Sequence, residues 1–300
     1  MLGSRAFGCA IALAILAPPA AHTQSATPPG RRSGILIVAH GGGPDWNRQV
    51  AEVAADVRHA GPVSYSFLMG PGAGEHPFQR EVASLRAAGA SKVVVVPLFM
   101  SSHSEHFDQL RWLIGDRERL DSTMMHHLHM GGIERPATLD GLLLASALDS
   151  SPELATALAQ RARALAPAPA GRALLVVGHG PNGAEDYARW MAALRPVTEQ
   201  VRASVGFRFA SVELVRDDAP PLVRAEAVRR VRELVTLLHE VTGQPVVVVP
   251  ALVATGAVSR VTLPRDLKGL PVVYTGDAVL PNPTMSRWVE RRVAEVLGAH

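Results

Sequence analysis

Two stretches of this sequence repeat one design. Ile35-Leu-Ile-Val-Ala-His40-Gly41 is echoed by Ala173-Leu-Leu-Val-Val-Gly-His179-Gly180, and Val93–Val96 followed by Pro97 is echoed by Val246–Val249 followed by Pro250. Each half opens with an apolar run ending in His-Gly, continues with a second run (Val63–Met69; Phe207–Val215) and closes a third run on proline. Self-similarity of this kind marks a duplicated unit. Unbroken runs rich in β-branched residues predict strands buried on both faces, as in a parallel sheet.

Helical spacing fills the gaps between the runs. Asp45 is placed to cap a helix whose Trp46, Val50, Ala54 and Val57 share one face. Phe78, Val82 and Leu85 repeat the pattern, with Gly89 as a stop. In the second half Tyr187, Met191 and Leu194, then Ala225–Leu238, do the same. Strands alternating with helices imply right-handed βαβ units. The expected fold is α/β: two flavodoxin-like lobes with parallel sheets, related by internal duplication. They span 34–165 and 171–300, with Ala166-Pro-Ala-Pro-Ala-Gly171 as the hinge.

The start of the chain reads differently. Arg5 precedes an apolar run, Ala6–Ala17, and then small residues, the pattern of a secretory signal peptide over 1–24. The run is shorter than the roughly 20 residues of a membrane span. A linker over 25–33 carries Pro, Gly and two Arg. A periplasmic or secreted protein is expected. The single cysteine, Cys9, lies inside the signal, so a disulfide framework and a cysteine zinc site are excluded. Lys92 and Lys268 are the only lysines among 30 basic residues, net charge is +3 and aromatics are 5%, which argues against a nucleic-acid surface.

In open α/β sheets, ligands bind beyond the carboxyl ends of neighbouring strands. His40 begins the loop after the first strand, and Ser101-Ser-His103-Ser-Glu105-His106 forms the loop after the third. Two imidazoles and a carboxylate converging there suit a divalent first-row metal. The second lobe keeps His179, but its matching loop, Ala251-Leu-Val-Ala-Thr-Gly256, holds no histidine or acid, so His179 reads as a structural remnant. His40-Gly41-Gly42-Gly43 resembles an esterase oxyanion loop, yet no Gly-x-Ser-x-Gly accompanies it. Gly178-His-Gly180-Pro-Asn-Gly183 fits a dinucleotide fingerprint, but Glu213 lies too far on to be its acid. No organic cofactor is expected. His126-His127-Leu-His129, with Met124, Met125 and Met130, resembles a soft-metal tract and is expected to form the fourth strand of the first lobe.

With two flavodoxin-like halves, a first strand ending in His-Gly, and Val-Val-Val-Val-Pro-Leu-Phe-Met-Ser-Ser-His103, nearly the whole chain after residue 33 resembles the class II tetrapyrrole chelatases, the sirohydrochlorin cobalt/iron chelatase family. The resemblance implies a lyase that inserts Co or Fe, as substrate, into a sirohydrochlorin-type ring between the lobes, as in cobalamin biosynthesis. It implies His40 and His103 as metal ligands with His106 as the alternate, and Glu105 assisting metal delivery or proton removal. Arg48 and Arg111 are candidates for the carboxylates of the ring. Where family members often carry an acid after the second strand, the first lobe has Met69 and Gly70-Pro-Gly-Ala-Gly74, while Glu213 keeps an acid in the second. Two fused lobes imply a monomer or weak oligomer without a stable membrane span. The other reading is an exported metal- or tetrapyrrole-binding protein without catalysis.

Overall fold

The computed structural model describes residues 32–298. The expected signal peptide, with Cys9, and the linker up to residue 31 lie outside them. The elements run β1 (Arg32–Ala39), α1 (Pro44–Asp56), β2 (Val63–Phe67), α2 (Pro71–Glu75), α3 (Phe78–Ala87), β3 (Ala90–Pro97), α4 (Glu105–Leu113), α5 (Ser122–Met130), β4 (Leu142–Leu144) and α6 (Pro152–Leu165). The second half follows with β5 (Ala173–Gly178), α7 (Ala184–Val205), β6 (Phe209–Leu214), α8 (Pro221–Thr242), β7 (Val246–Ala251), α9 (Leu263–Asp266), β8 (Val272–Val273) and α10 (Thr284–Gly298). β1 takes in the last two residues of the expected linker.

The strands form two parallel four-stranded sheets, ordered β2-β1-β3-β4 and β6-β5-β7-β8. The fold class is thus as the repeat predicts, two α/β lobes of one topology. Gly34–Ala39, Val93–Val96 and Val246–Val249 are buried throughout, because helices cover both faces. The order sets β1 beside β3, so the loops that follow them are neighbours at one end of the sheet.

Two local expectations are corrected. The His126–His129 tract is not a strand but lies in α5, and the fourth strand is Leu142–Leu144. The Asp121 carboxylate caps this helix by accepting from the Thr123 N–H at 2.8 Å, and only Leu128 is buried, which is one turn of helix against the core rather than alternating burial. Asp45 does not cap α1 either. Gly43 holds that position, and Asp45, inside the first turn, pairs with Arg48.

The final helix of each half crosses to the other lobe. α6 packs on β7 and α7, while α10 packs on β3 and α1. One apolar core therefore joins Val94 and Val96 to Val247, Val249, Leu158 and Trp288. Arg291 of α10 grips Glu153 of α6 with two 2.7 Å hydrogen bonds, and Arg161 of α6 donates to the carbonyls of Ala278 and Pro281. Nearer the ligand end, the Gln49 amide and the Thr255 main chain exchange two hydrogen bonds, at 3.0 and 3.1 Å.

Candidate metal centre

The His-Gly dipeptides are conformational devices. Gly41 has φ +98° and Gly180 has φ +83°, and a Cβ on Gly41 would stand 2.2 Å from the Met69 carbonyl oxygen. Only glycine fits such a turn cheaply. The turn swings each glycine carbonyl back onto the preceding ring, 2.8 Å from His40 Nδ1 and 2.9 Å from His179 Nδ1. A carbonyl only accepts, so Nδ1 carries the hydrogen and, in the neutral ring, Nε2 keeps a free lone pair.

The loop after β3 is fixed before α4 begins. Asp149 accepts from the Ser102 N–H and hydroxyl, each at 2.7 Å, and Ser104 caps α4 by accepting from the Phe107 N–H. Helix starts at Glu105, so His106 sits in the first turn with Gln109 one turn further along the same face. His106 Nδ1 lies 2.8 Å from Gln109 Oε1, and the Gln109 amide nitrogen donates to the Met124 carbonyl of α5. That second bond orients the amide, so His106 Nδ1 is the donor and its Nε2 also keeps a lone pair. The rings of His40 and His106 meet edge-on, with centroids 4.5 Å apart.

Burial lowers the pKa of His40, and burial followed by the neighbouring His40 charge lowers His106 to about 4. At neutral pH both are uncharged, as metal ligation requires. His127 of α5 lies near enough for its charge to act on His40, and its Nδ1 is buried with no hydrogen-bond partner among the described residues.

The other expected site residues are placed as follows. His103 is exposed, and its main-chain carbonyl accepts from the Trp190 indole of the second lobe. Among the described residues its imidazole meets neither His40 nor an acid. Glu105, half-buried at the start of α4, has no ion pair among the described residues. Arg48 is bound to Asp45 and Glu52 of its own helix, and Arg111 to Asp108 and Asp116. Glu213 accepts from the Tyr187 hydroxyl at 2.6 Å within β6.

Sequence reasoning missed the acids of the second lobe. The Arg216 N–H donates to the His179 carbonyl, as the Met69 N–H does to that of His40. This equivalence sets Asp217 and Asp218 where the first lobe has Gly70 and Pro71. Asp218 Oδ2 is 3.2 Å from His179 Nε2. Burial alone would lower His179, but the hydrogen bond and charge of Asp218 outweigh it and raise the pKa. His179 is therefore no isolated remnant, and its charge and that of Asp218 reach His40 and His106. The Asp217-Asp218 pair just after the second apolar run is the signal the sequence carries for them.

Two half-buried, uncharged imidazoles thus stand at the ends of adjacent parallel strands. Residues 34–165 match the CbiX family model. This bears out the resemblance to the class II chelatases. No curated protein matches the sequence. Among solved structures, SirB from Bacillus subtilis with Fe3+ is similar at 16% identity and a TM-score of 0.59, over 88% of this chain and 95% of that one. CbiX, described as the terminal enzyme for siroheme biosynthesis in denitrifying bacteria, gives 18% identity and 0.50 over 89% and 98%. The multi-domain DR2241 of Deinococcus radiodurans gives 20% and 0.54 over 88% of this chain, which spans only 55% of that protein. At these identities the likeness is one of fold.

Proposed function

We propose that this protein inserts a divalent metal, Co2+ or Fe2+, into a sirohydrochlorin-type tetrapyrrole held in a cleft between the lobes. The observation that carries the reading is the His40–His106 pair, with both Nδ1 hydrogens engaged and both Nε2 lone pairs free. Two imidazoles hold an ion without closing its coordination shell, so it remains transferable, unlike an ion in a four-ligand cage. His40 and His106 are the ligands of this reading, because the helix turn that aims His106 at His40 leaves His103 before the cap. The hydrogen bonds to the Gly41 carbonyl and to Gln109 hold the two rings and strengthen them as ligands.

As the metal enters, two ring N–H protons leave. Glu105, on the first turn of α4 beside His106, takes up one of them, and one of the site histidines, freed as it releases the metal, takes up the other. Arg48 and Arg111, each paired with two nearby acids, take no part in this reading. An exported location, periplasmic or secreted, is part of the proposal and rests on Arg5 and the Ala6–Ala17 run.

Mixing the protein with sirohydrochlorin and Co2+ and following the absorbance tests it. Metallation faster than in the protein-free control, lost in His106→Ala, is the expected result. A static spectral shift with no acceleration would replace it with the binding-protein reading.

A further inference from the structure

We propose that the second lobe carries a small-molecule pocket on the open edge of β6, which takes an organic acid whose apolar body also bears an N–H or O–H donor. It stands apart from the His40–His106 pair and does not depend on the metal-insertion reading.

The two lobes differ here despite their common topology. In the first, α2 ends on His76, whose ring packs on Tyr65 of the edge strand β2 with centroids 4.5 Å apart. The buried Ser66 hydroxyl donates to the His76 carbonyl at 2.7 Å. In the second lobe the chain passes from β6 to α8 without such a helix. Ser66 pairs with Val38, two residues before His40, and Glu213 pairs with Val177, two residues before His179, so Glu213 stands where the first lobe has Ser66. α7 also runs 22 residues where α1 runs 13, and Thr198 lies on the added length. Between α7, β6 and α8 this leaves a pocket of about 650 Å³, a volume typical of small-molecule sites, roughly 300–1,000 Å³.

The polar groups of the pocket lack partners. Thr198 and Glu213, both lining it, are only 3% and 7% exposed. The buried Thr198 Oγ1 and Arg230 Nε have no hydrogen-bond partner among the described residues, whereas buried polar atoms are ordinarily paired. Glu213 Oε1 accepts from the Tyr187 hydroxyl at 2.6 Å and the Leu214 N–H at 2.9 Å, while Oε2 has no partner among the described residues. Arg195, on the wall formed by α7, has no ion pair among them either. The carboxylate nearest Arg230, Glu226 at 3.4 Å, is already held by Arg229 through two hydrogen bonds, and Glu199 is held through both oxygens by Arg202. Arg195 and Arg230 both lie near enough to the Tyr187 hydroxyl for their charge to act on it. Two available guanidiniums thus face one carboxylate. The guanidiniums suit a carboxylate of the ligand, Glu213 Oε2 accepts from its N–H or O–H, and Met191, Val212 and Leu234 cover its apolar body.

Amide NMR shifts of the isotope-labelled full chain, free of metal, read the site. The probes are para-aminobenzoate, which has both groups, benzoate, which lacks the donor, and aniline, which lacks the acid. Para-aminobenzoate should shift the amides of Thr198 and of residues 210–213 in β6, and should bind about tenfold tighter than either of the others. Arg195→Ser, at an exposed position, should leave the spectrum folded and weaken that binding about tenfold. Absent shifts on β6, benzoate or aniline binding as tightly as para-aminobenzoate, or unchanged affinity in Arg195→Ser overturns the proposal. With no metal present, neither result bears on the reading of the first lobe.

Discussion

His40 and His106, far apart in the chain, stand edge-on with their ring centroids 4.5 Å apart. Their sequence neighbours have no such relationship, because Ser104 ends the loop and begins a helix between His103 and His106. The two histidines are therefore unequal. His106→Ala is expected to weaken Co2+ binding at this pair by more than the about 10–100-fold that loss of an outer-shell partner costs. His103→Ala, at an exposed ring, is expected to change it less than about threefold, at the level of surface substitutions. Dialysis against Co2+ compares the two variants; a larger loss in His103→Ala moves the ligand back along the loop.

Gln109 has no lone pair in the site, yet it governs one. Gln109→Leu keeps the bulk and removes the acceptor for His106 Nδ1, freeing the ring to rotate or change tautomer. The expected cost is about 10–100-fold in Co2+ affinity with little change in thermal stability. Gln109→Glu, which still accepts at that position, should recover most of it.

The histidine pKa shifts run in opposite directions in the two lobes. His106 titrates near pH 4 and His40 is lowered from its ordinary value, so protons compete with metal there only well below about 6.5. Co2+ binding at the first lobe should hold as pH falls from 7.5 to 6.5 and weaken toward 4. His179 is raised by Asp218, so its ring should take up a proton at a higher pH than those of His40 and His106, an order that imidazole NMR titration reads. Coincident pH profiles would contradict the opposed shifts.

The exchanged helices set a stability prediction. Hydrogen bonding from Arg291 lowers the Glu153 carboxyl, so its stabilisation is full above the ordinary value of 4.5 and is lost as pH falls through the lower folded value. Glu153→Gln should cost about 1 kcal/mol at pH 7, since the pair is partly exposed and Arg291 retains Glu295. Urea midpoints should separate the two chains at pH 7 and converge near pH 3.

Export is tested by the N-terminus. Expressed in a Gram-negative host, the protein should appear in the periplasm with a new terminus near residues 22–25. Intact Met1 on cytoplasmic protein would refute the signal reading.

The sequence by itself determined the strands, the duplication and the histidine turn. Val93–Val96 and Val246–Val249 are apolar at every position because each is covered on both faces. Gly41 and Gly180 follow their histidines because only glycine adopts those turns beside the next strand. Tertiary structure alone decided the rest. Whether His103 or His106 meets His40 depends on where Ser104 starts α4 and on Gln109 docking to α5, neither of which shows in residue spacing. Asp217 and Asp218 reach His179 only because Arg216 ties two loops distant in sequence. The crossing of α6 and α10 could not be read either, since an amphipathic helix carries an apolar face without specifying which of two similar sheets will bury it.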